Sequence, residues 1–274
     1  MNKTPLHQQH LDLDAKMVDF HGWDMPLHYG SQLEEHHAVR KGAGMFDVSH
    51  MTVVDILGAG GRKFLRHVLA NDIDDLKIGQ ALYSCLLNPH GGVVDDLIVY
   101  CRSSDNYRLV LNGATRDKDL KWLQQHALGH SVGIQERHDL AMIAVQGPNA
   151  IEKTLTILDD SQVDAVSTLR EFEAVDVANY FFARTGYTGE QGFEIVLPRE
   201  HVVTFWQALL KAGVKPCGLG ARDSLRLEAG MMLYGQDMNE STTPYESGLG
   251  WTVKLSPEDR LFVGREAILD LKQK

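Results

Sequence analysis

The stretch "NPHGGVVDDLIVY", residues 88–100, reads as a turn followed by a strand. Asn88, Pro89, His90, Gly91 and Gly92 form the turn, and Val93 to Tyr100 the strand. Side chains alternate faces along a strand, so Val94, Asp96, Ile98 and Tyr100 share one face, while Val93, Asp95, Leu97 and Val99 share the other. Each face is apolar apart from one carboxylate. A strand apolar on both faces is a buried one, and an unpartnered carboxylate inside it is costly. A structural partner accounts for Asp95 alone, either an arginine such as Arg222 or Arg226 or backbone N–H groups. Two acids together point to a role for one of them.

Working outward, "ALYSCLL" before this turn completes a hairpin, and "YRLVLN" adds a further strand ahead of a helix from about Arg116 to Leu128. Upstream stand the strand "MTVVDIL", the turn "GAGG" and the helix "RKFLRHVLAN". Ser31 and Glu34 in "SQLEEHHAVR" have capping-box spacing and mark an earlier helix start. The second half repeats the plan. "LAMIAVQG" and "PNAIEKTLTIL" match "VVDILG" and its helix, with Gly147 in the place of Gly58. "YFFARTGYTGEQGFEIVLP" matches the hairpin around residue 90, and "HVVTFWQALLKAG" matches the helix after Arg116. The expectation is an α+β fold made of two duplicated units, residues 1–137 and 138–274, each an antiparallel sheet with helices, around a central cleft. On this alignment Glu194, among Phe193, Ile195 and Val196, mirrors the acid in the first half, and two strand-borne carboxylates converge on the cleft. A carboxylate there suits a ligand with paired N–H donors, or proton exchange with an amine nitrogen. Tyr83, Tyr100 and Tyr187 flank the acids and offer stacking surfaces.

The totals exclude several classes. The 274 residues carry 27 basic and 37 acidic side chains, a net charge of -10, without a basic stripe of the kind nucleic-acid binding needs. No window reaches the roughly 18 uninterrupted apolar residues of a membrane span, and the polar N-terminus has no signal-peptide core. Cys85, Cys101 and Cys217 are scattered, as thiols of a reducing compartment are, so a cytoplasmic protein is expected, or one of an organelle matrix if a transit segment has been removed. "LGAGGRKF" fails the dinucleotide spacing because Lys63 stands where the third glycine belongs, and "CGLGARD" fails likewise. Neighbouring helical residues diverge, so "EEHH" at 34–37 gathers no ligand set, and no metal is expected. Ser49 and His50 are adjacent, which establishes no triad.

"TPLHQQH", "AKMVDFHGWDMPLHY", "GMFDVSHM", "NPHGGVVDDLIVY", "RTGYTGEQGFE", "GLGARDSLRLEAG" and "LYGQDM" follow one another almost from end to end. Together they resemble the T-protein family, the aminomethyltransferases of the glycine cleavage system. The resemblance implies a duplicated, clover-like body that binds tetrahydrofolate. It also implies transfer of a methylene group from the aminomethylated lipoyl arm of the H protein to tetrahydrofolate, giving 5,10-methylenetetrahydrofolate and ammonia. Carried over by motif, Asp96 matches the family's essential aspartate, Glu194 the acid that holds the pterin edge, Tyr187 its neighbouring tyrosine, and Arg222 an arginine of the site. Met51, Tyr83, Ile98 and Asn112 match positions that contact folate. Two departures stand out. Family members usually continue into a C-terminal β-barrel that this chain lacks, which leaves a folate-binding module without transferase activity as the alternative. Asp14 occupies a position where the family often has glycine, implying a slightly different turn.

Overall fold

A computed structural model describes residues 1–272. Helix α1 (His7–Asp12) precedes a hairpin of β1 (Lys16–Phe20) and β2 (Trp23–His28), then α2 (Gln32–Lys41) and β3 (Gly44–Asp47). The Ser31 hydroxyl caps α2 by accepting the Glu34 N–H at 3.3 Å, as the capping spacing predicts. Next come β4 (Thr52–Leu57), α3 (Gly61–Val68), the meander β5 (Ala81–Leu87), β6 (Val93–Ser103) and β7 (Asn106–Leu111), then α4 (Arg116–His126) and β8 (Gly133–Glu136). The plan then recurs as β9 (Leu140–Gln146), α5 (Ala150–Leu155), α6 (Asp160–Val166), β10 (Ala174–Val177), β11 (Tyr180–Ala183), β12 (Gly192–Pro198) and α7 (Val202–Lys211). Strand β13 (Lys215–Pro216), α8 (Leu219–Glu228) and α9 (Arg265–Lys272) complete the order.

The chain divides into two compact units, but not at a single boundary. Residues 1–51 belong with 138–231, and residues 52–137 belong with the chain from 232 onward. The compact units are therefore not the contiguous stretches 1–137 and 138–274 expected from sequence, because residues 1–51 lie with the second stretch and the chain from 232 onward with the first. The physical reason is in the pairing: β3, from the first stretch, hydrogen-bonds to β9, and the C-terminal segment covers β5 and β6.

The first unit holds a six-stranded sheet in the order β10-β11-β12-β9-β3-β13, antiparallel except for the parallel β13–β3 pair. Ile143, Val145, Phe193, Ile195 and Leu197 of this sheet pack with Ala150 of α5 and with Phe205, Trp206 and Leu209 of α7. At its N-terminal end, buried Asp47 accepts from Thr4 Oγ1 at 2.5 Å and pairs with His10 Nε2 at 2.9 Å, which ties α1 to β3. Asp14, after α1, takes φ 54, so the aspartate keeps the left-handed turn that glycine would make more easily.

The second unit holds an antiparallel five-stranded sheet in the order β5-β6-β7-β4-β8. One face, through Leu97, Val99, Leu109 and Leu111, packs on Phe64, Leu65 and Val68 of α3 and on Leu123 of α4. Toward the other side, Cys85, Leu87 and Val93 pack with Met238, Leu249, Phe262 and Ile268. That double cover is why β6 is apolar on both faces.

The duplication is visible in the strand order. Both units run strand, glycine, helix, three-stranded meander, helix, and in both the first strand inserts beside the last strand of the meander. Gly58 and Gly147 both have positive φ, 114° and 130°. A Cβ on Gly147 would stand 2.4 Å from the Gly42 carbonyl oxygen and 2.6 Å from that of Val39. Gly147→Ala is therefore expected to cost on the order of 2–4 kcal/mol. Gly129, with φ 85 and no atom within 4 Å of its added Cβ, should cost only about 1 kcal/mol on the same substitution. Urea unfolding midpoints of the two variants check the contrast.

Candidate functional site

The eight residues singled out in the sequence fall into two groups, one per unit. Tyr83, Asp96, Ile98 and Asn112 lie on or beside the β5–β6–β7 meander of the second unit. Met51, Tyr187, Glu194 and Arg222 belong to the first.

In the second unit, Asp95 and Asp96 do point to opposite faces of β6, and the strand solves their burial in two ways. Asp95, fully buried, turns to the helix-covered face. It accepts from the Asn112 amide nitrogen Nδ2 at 2.9 Å, the Asn112 backbone N–H at 3.3 Å and the Thr115 hydroxyl at 3.0 Å. Among the described residues no arginine hydrogen-bonds it; Arg226 instead donates to Asp223 at 2.8 Å. Asp96, half-buried on the opposite face, accepts from the Tyr83 hydroxyl at 2.8 Å and from Asn112 Nδ2 at 2.9 Å. Burial and the neighbouring Asp95 push the Asp96 carboxyl up to about 7, against the lowering effect of those two hydrogen bonds. Cys85 pairs across the strands with Asp96, and Tyr83 with Ile98, so these four side chains share one face. Trp251, 66% exposed, stacks on Tyr83 with ring centroids 5.5 Å apart.

In the first unit, Glu194 is buried on β12 with Ala144 of β9 on one side and Ala183 of β11 on the other. Its Oε2 accepts the Thr185 hydroxyl at 2.6 Å. The Arg222 guanidinium, on α8, lies 4.6 Å over the Tyr187 ring, a cation–π arrangement. One Arg222 nitrogen, Nη1, is buried without a hydrogen-bond partner among the described residues. Burial lowers the Arg222 pKa, and the nearby Glu194 and Tyr187 work against that shift. Met51 sits in the turn after β3, its N–H donating to the Val48 carbonyl at 3.0 Å.

One expectation needs correcting. Glu194 is not the counterpart of Asp96. With Gly147 set on Gly58, the ladder β9–β12 corresponds to β4–β7, so Glu194, opposite Ala144, falls on Arg108, opposite Asp55. The hairpin β11–β12 thus repeats β6–β7, not β5–β6. Hairpin patterns look alike in sequence, and only the ladder says which strand neighbours which.

The other polar side chains singled out earlier have structural places. Glu35 accepts from the Tyr29 N–H at 2.6 Å and the Gly218 N–H at 2.8 Å, and His36 bonds Ser224 at 2.8 Å. Ser49 both accepts from and donates to Met142 at 3.1 Å. No group of three or more His, Cys, Asp or Glu is placed to hold a metal among the described residues.

Comparison with known proteins follows the same lines. Residues 6–257 match the GCVT N-terminal domain family. Aminomethyltransferases of Legionella pneumophila, from strains Philadelphia 1 and Corby, are 68% identical over 272 residues, covering 99% of this chain and 76% of each relative. The crystal structure of the glycine cleavage system aminomethyltransferase T from Bartonella henselae superposes with a TM-score of 0.94 at 36% identity, over 99% of this chain and 75% of that one. The chain belongs to the aminomethyltransferase family.

Membership agrees with the α+β fold, and it directs attention to residues that the sequence reading passed over. Asp119, wholly buried on α4, lies within hydrogen-bonding reach of Asp95. Nothing local in "TRDKDLKW" singles it out. Thr115 and Trp251 were likewise unmarked. His50, buried beside Arg222, is pushed down to about 4 by burial and by that guanidinium, and so is a neutral imidazole at pH 7.

The raised Asp96 pKa gives a stability signature. Below about pH 4 the group is protonated both folded and unfolded and contributes nothing. Between there and pH 7 the unfolded chain loses its proton first, so the folded state loses stability as pH rises. Asp96→Asn is therefore expected to match wild type near pH 4 and to exceed it by on the order of 1–3 kcal/mol at pH 8. Urea unfolding across that range measures the difference.

Proposed function

We propose that the chain takes the methylene of an aminomethyl group from the lipoyl sulfur of a carrier protein, passes it to tetrahydrofolate and releases ammonia. Its family membership makes it an aminomethyltransferase of glycine cleavage. The identity of the carrier as H protein and of the acceptor as tetrahydrofolate is the finer part of this reading. A folate-binding module without transferase chemistry is not favoured, because the relatives at 68% identity carry the transferase name. A cytoplasmic location fits three unpaired thiols, Cys85, Cys101 and Cys217.

The observation that carries the mechanism is the half-buried Asp96 carboxyl, held by Tyr83 and Asn112 and titrating near neutrality. Ammonia departs only once its nitrogen is protonated, and positive charge then builds on the methylene carbon. An acid with a pKa near 7 can pass a proton to the departing amine and, once ionised, stabilise that cationic carbon. The apolar surroundings of β6 strengthen the attraction by excluding water. Tyr83 and Asn112 keep both Asp96 oxygens aimed, so little reorganisation is needed at the moment of transfer.

Folate suits the other group. The pterin edge presents an amino group and a ring N–H side by side, and Glu194 can accept both through charge-assisted bonds. Its flanking alanines put no side-chain bulk beside the carboxylate. The unpartnered Arg222 Nη1 can donate to a ligand acceptor, and the Tyr187 ring beneath that guanidinium holds it in place. A metal plays no part in this scheme.

Asp96→Asn should lower ammonia release from aminomethylated carrier by at least about a hundredfold while leaving tetrahydrofolate affinity within a few fold by tryptophan fluorescence. Glu194→Ala should do the reverse, weakening folate binding by roughly 10–100-fold. Near-normal ammonia release from the Asp96 variant would sink its assignment.

A further inference from the structure

Behind Asp96 lies an arrangement that the transfer scheme does not use. Asp95 and Asp119, both fully buried, stand within hydrogen-bonding reach of each other. Both Asp119 oxygens are sealed from solvent and, besides Asp95, only the Thr115 hydroxyl approaches them, without completing a well-formed hydrogen bond among the described residues. The single Thr115 hydroxyl proton goes to Asp95 or to the Asn112 carbonyl, each at 3.0 Å. Two ionised carboxylates cannot sit side by side in such a place; one must keep its proton, and that proton is the donor the other lacks. Burial and the neighbouring carboxylate raise Asp95 well above the usual carboxylate range, and burial lifts Asp119 to about 6. Well-packed apolar side chains of similar volume often stabilise a fold as well as buried charged groups do. The acids therefore call for a reason beyond packing.

The link to Asp96 is Asn112. Its Nδ2 carries two hydrogens and has two short acceptors, Asp95 Oδ1 and Asp96 Oδ1, each at 2.9 Å. With both hydrogens committed, the amide cannot turn over, because its oxygen would then face two carboxylates. The other groups facing this cluster are few. Lys118 of α4 donates to the Val94 carbonyl and to the Tyr234 hydroxyl, both at 2.6 Å, and pairs with Glu240 at 3.2 Å. The Cys85 thiol of β5, pushed up to about 12 by burial, is neutral, and Tyr83 donates to Asp96.

We propose that Asp95 and Asp119 share a single proton as a buried acid–carboxylate pair, and that this pair, acting through Asn112, orients the Asp96 carboxylate and sets the pH at which it ionises. Asp95 and Asp119 are positioning residues that touch neither substrate. The second half of the proposal rests on the assignment of Asp96 in the transfer reaction; the first half does not.

Asp119→Asn replaces the carboxylate by an amide that donates to Asp95, fixing the negative charge one residue from Asp96. The alkaline limb of the kcat/KM profile for ammonia release, where Asp96 loses the proton it donates, should then move to higher pH by about one pH unit. Asp119→Leu removes the charge and leaves Asp95 protonated, so the limb should move to lower pH. A packing role alone would depress the rate at every pH and leave the limb where it was, and that result overturns the coupling. Infrared spectra give a readout independent of catalysis. Asp96→Asn protein at pH 8 should retain the carbonyl-stretch band of a protonated carboxyl group, and the double variant Asp96→Asn/Asp119→Asn should lose it. Absence of that band before Asp119 is changed refutes proton sharing. If Asp119→Leu does not fold, the isosteric variant and the band still decide. If Asp96→Asn turns over normally, the assignment of Asp96 falls while the band continues to test the pair.

Discussion

A carboxylate can stay inside a β-sheet only where donors meet it, and this constraint shapes β6 and everything packed on it. Asp95 and Asp96 are adjacent, so they face opposite sides, and no single partner on one face could serve both. Asn112 does so because it stands just after β7, one residue past the Leu97–Leu111 pair that ends the ladder, where a side chain can reach around the strand edge. The hydroxyls of Thr115 and Tyr83 complete the two shells, one on each face. The turn that begins α4 is therefore tied to the meander by the same hydrogen bonds that hold the candidate acid. Any shift of β7 against β6 would leave a buried charge without its donors, so sheet register and site geometry are one constraint.

Much of this was legible because local rules act on short segments. The Ser31 cap, the β4-glycine-α3 unit, the β5–β6 hairpin and the α7 helix all follow from patterns a few residues long. The duplication showed through the same means, since Gly58 and Gly147 both need backbone that other residues resist. What the pattern left open was pairing. "RTGYTGEQGFE" joins two strands as "NPHGG" does, yet it joins the second and third strands of its meander and not the first and second. Glu194 consequently pairs with residues equivalent to those around Arg108. Similarly, no local rule says that β3 leaves its own half to join β9, or that the segment after α8 returns to cover β5.

Asp119 was hidden for a different reason. A helix acid between lysines reads as solvated, and Lys118 does satisfy that reading in part, with its side chain partly exposed. Only the packing of α4 on the sheet turns the next residue inward against Asp95. Burial of a helix residue depends on its angle about the axis, and α4 has too weakly amphipathic a sequence to announce which face is covered.

The corrected alignment makes the two units chemically unlike at one equivalent place. In the second unit Arg108 meets Asp55 across the ladder through two bonds, at 2.8 and 3.0 Å, so the buried charge is neutralised within the sheet. In the first unit the equivalent of Asp55 is Ala144, and on the far side of Glu194 stands Ala183. Cross-strand neutralisation is absent on both sides, and among the described residues only the Thr185 hydroxyl hydrogen-bonds the carboxylate. A buried acid flanked by alanines retains acceptor capacity that the fold itself does not fill, and a hydrogen-bond donor from outside the sheet gains the full benefit of a low-dielectric surrounding. The sheet position that holds a neutralised Arg108 in the second unit thus holds, with alanine in place of the facing aspartate, a partly satisfied acid in the first.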